Sequence, residues 1–270
     1  MSIDPRIHRR RVEVRRQEGR RRFRVLLGVS AVTVSGLAGW AASNSSLLDL
    51  DRVVVANAVH TEPADARFAS GLRLGQRLLD IDEGTAVQGV ETLPWVERAV
   101  VSKRWPGEIR ITLVERRPEA FTISQAGNAA LVDGTGRVLA WVDVPPPGLG
   151  ALTGLPPAGP AGSTLAPEGV AALTVALAMP AELRARTSGV APAAGGRGEV
   201  DIRLRPDERS PEGLVRLGPP DDLDRKFDAI RTVLARVDLH DLAVLDVRRP
   251  DSPVLTRRET PVKVSTPRVG

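Results

Sequence analysis

The chain has 270 residues, a formal net charge of +5 and no cysteine, and the missing thiols exclude disulfide bonds, cysteine nucleophiles and cysteine-based metal sites. The positive charge lies at one end, because the first 24 residues hold ten arginines and three acids, whereas the other 246 residues have a net charge of −2. A nearly neutral remainder argues against nucleic-acid binding by the folded part of the chain.

An uncharged segment follows the arginine-rich tail. Residues 25–48 carry no charge, and the 18 residues at 25–42 are apolar enough for a bilayer-spanning helix, which needs roughly 17–25 residues. Because positive charge remains on the cytoplasmic side of a membrane, we expect a cytoplasmic tail at 1–24, a transmembrane helix at 25–45 and an extracytoplasmic remainder.

A cleaved signal peptide and a buried core helix are the alternatives to this anchor. Gly39-Trp40-Ala41 has the pattern of a cleavage site, and Arg21-Arg22-Phe23 weakly resembles a twin-arginine signal. The apolar segment is longer than the roughly 7–15 residues of a signal peptide, which favours an uncleaved anchor. A core helix would show a polar face, whereas the polar residues of this segment are only serine and threonine.

Three strands and two helices are predicted directly after the anchor. In chain order they lie at residues 50–57 (strand), 63–72 (helix), 84–93 (helix), 96–104 (strand) and 109–113 (strand). A turn with a short extended piece is expected at 74–82. Alternation in the second strand places Ala99 and Val101 on one face and Val96 and Val100 on the other. The order β-α-α-β-β is typical of a small α+β domain with helices on one face of a sheet.

The rest of the chain has short strands, turns and a few helices. Strands are predicted at 119–124, 129–132, 138–142, 200–204, 214–217, 242–249 and 254–257. Helices are predicted at 170–178, 182–186 and 222–237, the last with Asp221 or Asp222 as its cap. The segment 145–162 is rich in proline and glycine and resembles a linker, although strands continue beyond it. Residues 191–198 are predicted to form a loop, and residues 259–270 a flexible end.

Six local patterns, in this order, resemble the family of the bacterial cell-division protein FtsQ, also called DivIB. They are Val53-x-Val55 with Asn57; Gly75-x-x-Leu78-Leu79-x-Ile81-Asp82; Leu93-Pro94-Trp95-Val96-x-x-Ala99-x-Val101 followed by Arg104-Trp105-Pro106; Ile111-x-Leu113-x-Glu115-Arg116-x-Pro118; Leu131-Val132-Asp133-x-x-Gly136; and Leu217-Gly218, Lys226 and Asp246-x-Arg248. The chain departs from the first pattern at Ala56, where the family usually has glycine.

The resemblance implies an α+β protein with a single transmembrane helix, a POTRA domain at 50–117 and a mostly antiparallel β domain with flanking helices at 118–258. It also implies a non-enzymatic scaffold in the cytoplasmic membrane at the division septum, with a cytoplasmic amino terminus. Such a scaffold binds FtsB and FtsL outside the membrane and connects them to the septal peptidoglycan synthases FtsW and FtsI. No cofactor, metal, nucleic acid or small-molecule substrate is expected.

The resemblance places FtsB binding at the last strands of the β domain. In this chain the corresponding residues are Asp246, Val247, Arg248, Arg249, Val254, Leu255, Thr256 and Arg257. Family members often have aromatic residues here, whereas this chain has Arg249 and Arg257, which suit acidic groups on a partner. Asp246 and Arg248 share a strand face, so they form either a structural ion pair or a partner contact.

The residues indicate no catalytic site. The three histidines, His8, His60 and His240, are isolated in the sequence, and no Gly-x-Ser-x-Gly or phosphate-loop pattern is present. Trp95 and Trp105 each stand beside a proline and serve either core packing or a partner surface. The alternatives to a division scaffold are a single-pass POTRA protein of an export or envelope-assembly system and an anchored hydrolase.

Overall fold

The computed structural model describes residues 24–37, 48–196, 198–205, 212–237 and 242–258. Helix α1 covers residues 24–37, and its side chains are exposed. No helix within the described ranges is long and apolar enough to cross a membrane. Most of the predicted basic tail, residues 38–45 of the predicted transmembrane helix, His8, His240 and the carboxyl-terminal tail predicted at 259–270 lie outside the described residues.

Three strands and two helices form the first folded unit after α1. They are β1 Arg52–Ala56, α2 Pro63–Ala69, α3 Glu83–Glu91, β2 Val96–Arg104 and β3 Glu108–Glu115. A 3₁₀ helix at Leu78–Asp80 occupies part of the stretch predicted as extended. Strand β3 is central, parallel to β1 and antiparallel to β2. The β-α-α-β-β order expected from the sequence is therefore observed.

Strand β2 departs from the simple alternation that its sequence predicts. Val96, Ala99 and Val101 are all buried, whereas Val100 is 52% exposed. The pairing with β3 shifts its register between Val96 and Arg98, as in a β-bulge. The prediction that Val96 shares a face with Val100 is wrong, because the extra residue turns Val96 onto the core face.

The second folded unit is a nine-stranded mixed sheet with three helices. Its elements are β4 Ala120–Ile123, β5 Ala129–Val132, β6 Val138–Val142, β7 Gly150–Leu152, α4 Pro167–Ala178, α5 Ala181–Ala185, β8 Thr187–Pro192, β9 Val200–Leu204, β10 Gly213–Gly218, α6 Leu223–Leu234, β11 Leu242–Asp246 and β12 Val254–Arg257. The strand order is β12-β11-β10-β9-β8-β7-β4-β5-β6. Five of the eight neighbouring pairs are antiparallel, so the α+β class is confirmed with antiparallel pairs in the majority.

One hydrophobic core joins α4 and α6 to this sheet. On α6, Phe227, Ile230 and Leu234 recur at helical spacing and are buried. Val215 and Leu217 of β10 belong to the same core. Because side chains alternate along a strand, the opposite face of β9 and β10 carries the exposed residues Arg203 and Arg216.

Two strands of this sheet were not expected from the sequence. Strand β7 lies inside the proline- and glycine-rich segment at 145–162 and pairs in parallel with β4 and β8. Strand β8 ends at Pro192 and so covers the start of the loop predicted at 191–198. The three residues of β7 are too few to show a detectable alternation. Its hydrogen bonds come from strands that are distant in the sequence, so no local pattern reveals them.

Helix α6 begins differently from the prediction that Asp221 or Asp222 caps it. Asp222 has a left-handed backbone, with φ 43° and ψ 37°, and its side chain makes no capping hydrogen bond. Asp221 instead accepts a hydrogen bond from Nζ of Lys226, which also donates to the carbonyl of Pro219 at 2.8 Å. Lys226 is only 2% exposed, so its ammonium group ties the preceding loop to the first turn of the helix.

Arginine side chains connect the two folded units. Nη1 of Arg116 donates to Oδ2 of Asp133 at 2.8 Å, and its Nε donates to the carbonyl of Val96 at 3.1 Å. Nη2 of Arg137 donates to the carbonyl of Thr92 at 2.8 Å. Burial raises the pKa of Asp133, but hydrogen bonds from the Thr135 hydroxyl, backbone N–H groups and Arg116 outweigh it and lower the pKa below its usual value.

Glu115, next to Arg116, holds the loop between β1 and α2. Its carboxylate accepts the backbone N–H groups of Val59, His60 and Thr61 at 2.8–3.0 Å. The Nδ1 atom of His60 lies 3.0 Å from Oε2 of Glu115, and its ring stacks on Trp95 with 4.2 Å between centroids. Burial raises the pKa of Glu115, yet the hydrogen bonds outweigh this and lower the pKa to about 2. The neighbouring residues Glu115 and Arg116 therefore each have a structural role.

Candidate partner-binding site

The residues predicted to bind a partner lie at one edge of the nine-stranded sheet. Strand β12 pairs with β11 in an antiparallel ladder, and within the described residues no strand pairs with its other side. An edge strand presents backbone N–H and C=O groups that a further strand can pair with. This edge is therefore a place where an extended segment of another protein can join the sheet.

The eight predicted residues differ in their accessibility. Val254 is 61% exposed, and the side chains of Arg249, Thr256 and Arg257 are also exposed. Leu255 is partly buried against the core. The strand predicted at 242–249 ends at Asp246, and Val247, just beyond it, is fully buried in the core and is not accessible to a partner.

Asp246 and Arg248 form an ion pair with each other. Nε of Arg248 lies 3.0 Å from both carboxylate oxygens, and its Nη2 donates to Oδ2 at 2.6 Å. The backbone N–H of Arg248 donates to Oδ1 at 3.1 Å. The hydrogen bonds from Arg248 lower the pKa of Asp246, so this carboxylate is ionised at neutral pH. Of the two predicted roles, the structural pair is the one observed in the free chain.

Two further contacts shape the turn between β11 and β12. Nη2 of Arg225, on α6, donates to Oδ1 of Asp251 in this turn at 2.6 Å. Gly218 has φ +75°, and a Cβ atom added there would come within 2.9 Å of Cγ of Arg248. Glycine at 218 therefore gives Arg248 the room in which it reaches Asp246.

A row of charged residues crosses this end of the sheet. In the strand register, Arg216 of β10 lies opposite both Asp201 of β9 and Asp246 of β11, and Asp246 lies opposite Val254. Burial raises the pKa of Asp201, although neighbouring arginines lower it in part. Sequence reasoning identified only Asp246 and Val254 of this row. The only local signal for the remaining residues of the row is the set of polar positions in the alternating strands predicted at 200–204 and 214–217.

The arrangement suits recognition of an extended chain. The free edge supplies backbone hydrogen bonds, Val254 supplies an exposed apolar side chain, and Arg249 and Arg257 supply positive charge beside it.

Within the described residues, no group of three histidine, aspartate or glutamate side chains is placed to hold a metal ion.

Comparison with known proteins gives a consistent family match. Residues 48–116 match the family described as POTRA domain, FtsQ-type. Proteins named "Cell division protein FtsQ" are similar in Corynebacterium glutamicum (29% identity over 132 residues, 48% of this chain and 57% of that protein) and Streptomyces collinus (32% over 140 residues, 51% and 53%). The protein of that name from Rhodothermus marinus is 31% identical over 152 residues, 54% of this chain and 52% of its own.

The chain spans about half the length of the curated relatives that it matches. The resemblance to the FtsQ family that the sequence patterns indicate is confirmed by these matches.

Proposed function

We propose that this chain is a non-enzymatic scaffold of cell division, and that the exposed edge of β12 captures a strand of a partner. The cell-division role is supported by the name that its relatives share, and by the FtsQ-type POTRA match. The observation that carries the binding mode is the position of β12, which pairs with β11 alone among the described strands.

The partner proposed for this edge is FtsB, in complex with FtsL. An added strand would lie beside β12, so its side chains would alternate between the face that carries Val254 and Thr256 and the face that carries Leu255. Acidic residues flanking that strand would pair with Arg249 and Arg257. The Asp246–Arg248 pair would keep the neighbouring strand end rigid, which lowers the entropic cost of binding.

The membrane arrangement is part of the same proposal. The apolar segment would anchor the chain once, with the arginine-rich tail in the cytoplasm and the POTRA and β domains outside. Placed at the septum, the bound FtsB and FtsL would connect the scaffold to FtsW and FtsI and so to septal peptidoglycan synthesis. An anchored protein that works by strand capture needs neither a cofactor nor a metal.

The test is to replace Val254 with proline in the full chain and measure its affinity for an FtsB–FtsL complex. Proline has no N–H and is poorly tolerated where a strand is paired on both sides, so we expect the affinity to fall by about tenfold or more. The matched control is Val142→Pro on β6, which forms the opposite edge of the same sheet.

Circular dichroism would establish that both variants remain folded. A V254P chain that binds as tightly as the wild type, or a V142P chain that loses binding equally, would contradict capture at β12. Absence of the labelled full chain from the division septum would contradict the division role itself.

A further inference from the structure

The POTRA domain has an exposed apolar patch beside β1. Phe68, at the end of α2, is 90% exposed, and Leu74 is 68% exposed. Together with Val53 and Leu72 they line a groove of about 410 Å³, with Arg67 and the Glu108-paired Arg52 at its rim. We call these six residues the β1–α2 patch. Clustered apolar side chains with a charged rim are typical of a surface that contacts another body.

The β1–α2 patch lies next to the point where the chain enters this domain. The N–H of Leu50 donates to the carbonyl of Gln76 at 2.8 Å, and the N–H of Gly75 donates to the carbonyl of Leu50 at 2.8 Å. Asp49 and Arg77 form a β-bridge in the same place. The loop that carries Leu74 is therefore fastened to the first residues of the domain.

The proposed anchor brings this loop close to the bilayer. Only residues 46 and 47 lie between position 45, where the predicted transmembrane helix ends, and Leu48, and the three residue-to-residue steps span at most about 10 Å. The headgroup layer on each side of a bilayer is roughly 5–8 Å thick. Only a short segment of chain would therefore separate the loop that carries Leu74 from the lipid headgroups.

The composition of the segment suits a phospholipid surface. Residues 66–79 contain three arginines and no carboxylate, and Arg67, Arg73 and Arg77 form no ion pair with any carboxylate in the described part of the chain. Arginine binds phosphate groups while phenylalanine and leucine enter the boundary of the acyl chains. Of the two arginines that line the groove, Arg52 is paired with Glu108, which accepts a hydrogen bond from its Nε at 2.8 Å, and Asp51 adds one negative charge. The positive charge for a phosphate contact therefore comes from Arg67 and from the neighbouring Arg73 and Arg77.

We propose that the β1–α2 patch rests on the outer surface of the membrane, with Phe68, Leu72 and Leu74 at the acyl boundary and with Arg67 and the neighbouring Arg73 on phospholipid phosphates. This inference depends on the proposed anchor, and it adds a second point of membrane contact that orients the POTRA domain. The competing occupant is a protein strand on the edge of β1 that no described strand covers.

The absence of native cysteine permits clean labelling. In the full chain, the variant Phe68→Cys is labelled with an environment-sensitive fluorophore. The labelled chain is reconstituted into vesicles of phosphatidylcholine and phosphatidylglycerol that contain lipids with a nitroxide quencher in the headgroup region. The matched control is Val100→Cys, which is half-exposed on the same domain but lies on β2, at the other edge of the sheet. We expect strong quenching at position 68 and only background quenching at position 100.

A second variant tests the chemistry of the contact. Arg67→Glu combined with Arg73→Glu should reduce quenching at position 68 in phosphatidylglycerol vesicles, whereas Arg98→Glu, an exposed arginine on β2, should leave it unchanged. Equal quenching at positions 68 and 100 would overturn the inference. Shielding of position 68 only after addition of an FtsB–FtsL complex would also overturn it, in favour of a protein occupant.

The experiment gives different results if the chain has no membrane anchor and if the β1–α2 patch does not contact the membrane. A chain that remains with the vesicles after an alkaline wash, but is not quenched at position 68, retains the anchor and lacks the membrane contact. A chain that the wash removes lacks the anchor, which refutes both. Binding of FtsB–FtsL at β12 is measured separately and depends on neither outcome.

Discussion

Replacing Glu115 with glutamine tests the clamp that holds the β1–α2 loop. The wild-type carboxylate is 9% exposed and accepts three backbone N–H groups, and its pKa is lowered to about 2 from an ordinary 4.5. A difference of this size corresponds to at most about 3 kcal/mol, since one pKa unit is worth about 1.36 kcal/mol. Glutamine removes the negative charge and one acceptor oxygen, so we expect a loss of about 2–3 kcal/mol at pH 7.

The pH dependence has a definite sign. Because the folded pKa of Glu115 lies below the unfolded pKa, its contribution is fully present above about pH 4.5 and is lost as the pH falls toward 2. By linkage, roughly 1 kcal/mol of the contribution remains at pH 3. The difference between wild type and E115Q should therefore shrink by more than half between pH 7 and pH 3.

Urea denaturation of the full chain in detergent, followed by tryptophan fluorescence and circular dichroism, measures this difference. Trp95 stacks on His60 beside the carboxylate and supplies a local signal. Glu97→Gln, at an exposed position of β2, is the control for the loss of one charge. An E115Q chain within about 0.5 kcal/mol of the wild type at pH 7, or a difference that does not change with pH, would refute the reasoning.

Two further predictions concern the junction and the binding edge. Arg116→Ala removes two hydrogen bonds between the folded units and should cost about 2 kcal/mol in urea denaturation, whereas Arg117→Ala, exposed next to it, should cost less than about 0.5 kcal/mol. Equal losses would show that Arg116 has no special role. Gly218→Ala forces a side chain into the left-handed region at about 1–2 kcal/mol and crowds Arg248, so FtsB–FtsL affinity should fall in a binding assay. Unchanged affinity would show that the Asp246–Arg248 pair does not contribute to partner binding.

The sequence alone was sufficient for elements with several turns or alternations. The amphipathic pattern of α6, the alternation of β3 and the hairpin between β5 and β6 each depend on residues close in the chain, and each predicted element is observed. The ordered patterns, which include Glu115, Arg116 and Asp133, also indicated the family that the comparisons support. Their roles at the junction were not predictable, since each role depends on a partner far along the chain.

Tertiary structure decided three features that local pattern does not encode. The bulge at Val96 depends on pairing with β3, and β7 is a strand only because β4 and β8 lie on both sides of it. The charged row through Arg216 exists because β9, β10 and β11 align in register, although helix α6 separates β10 from β11 in the sequence. Local periodicity reflects the backbone geometry of neighbouring residues, whereas strand register and edge position are set by the free energy of packing the whole sheet.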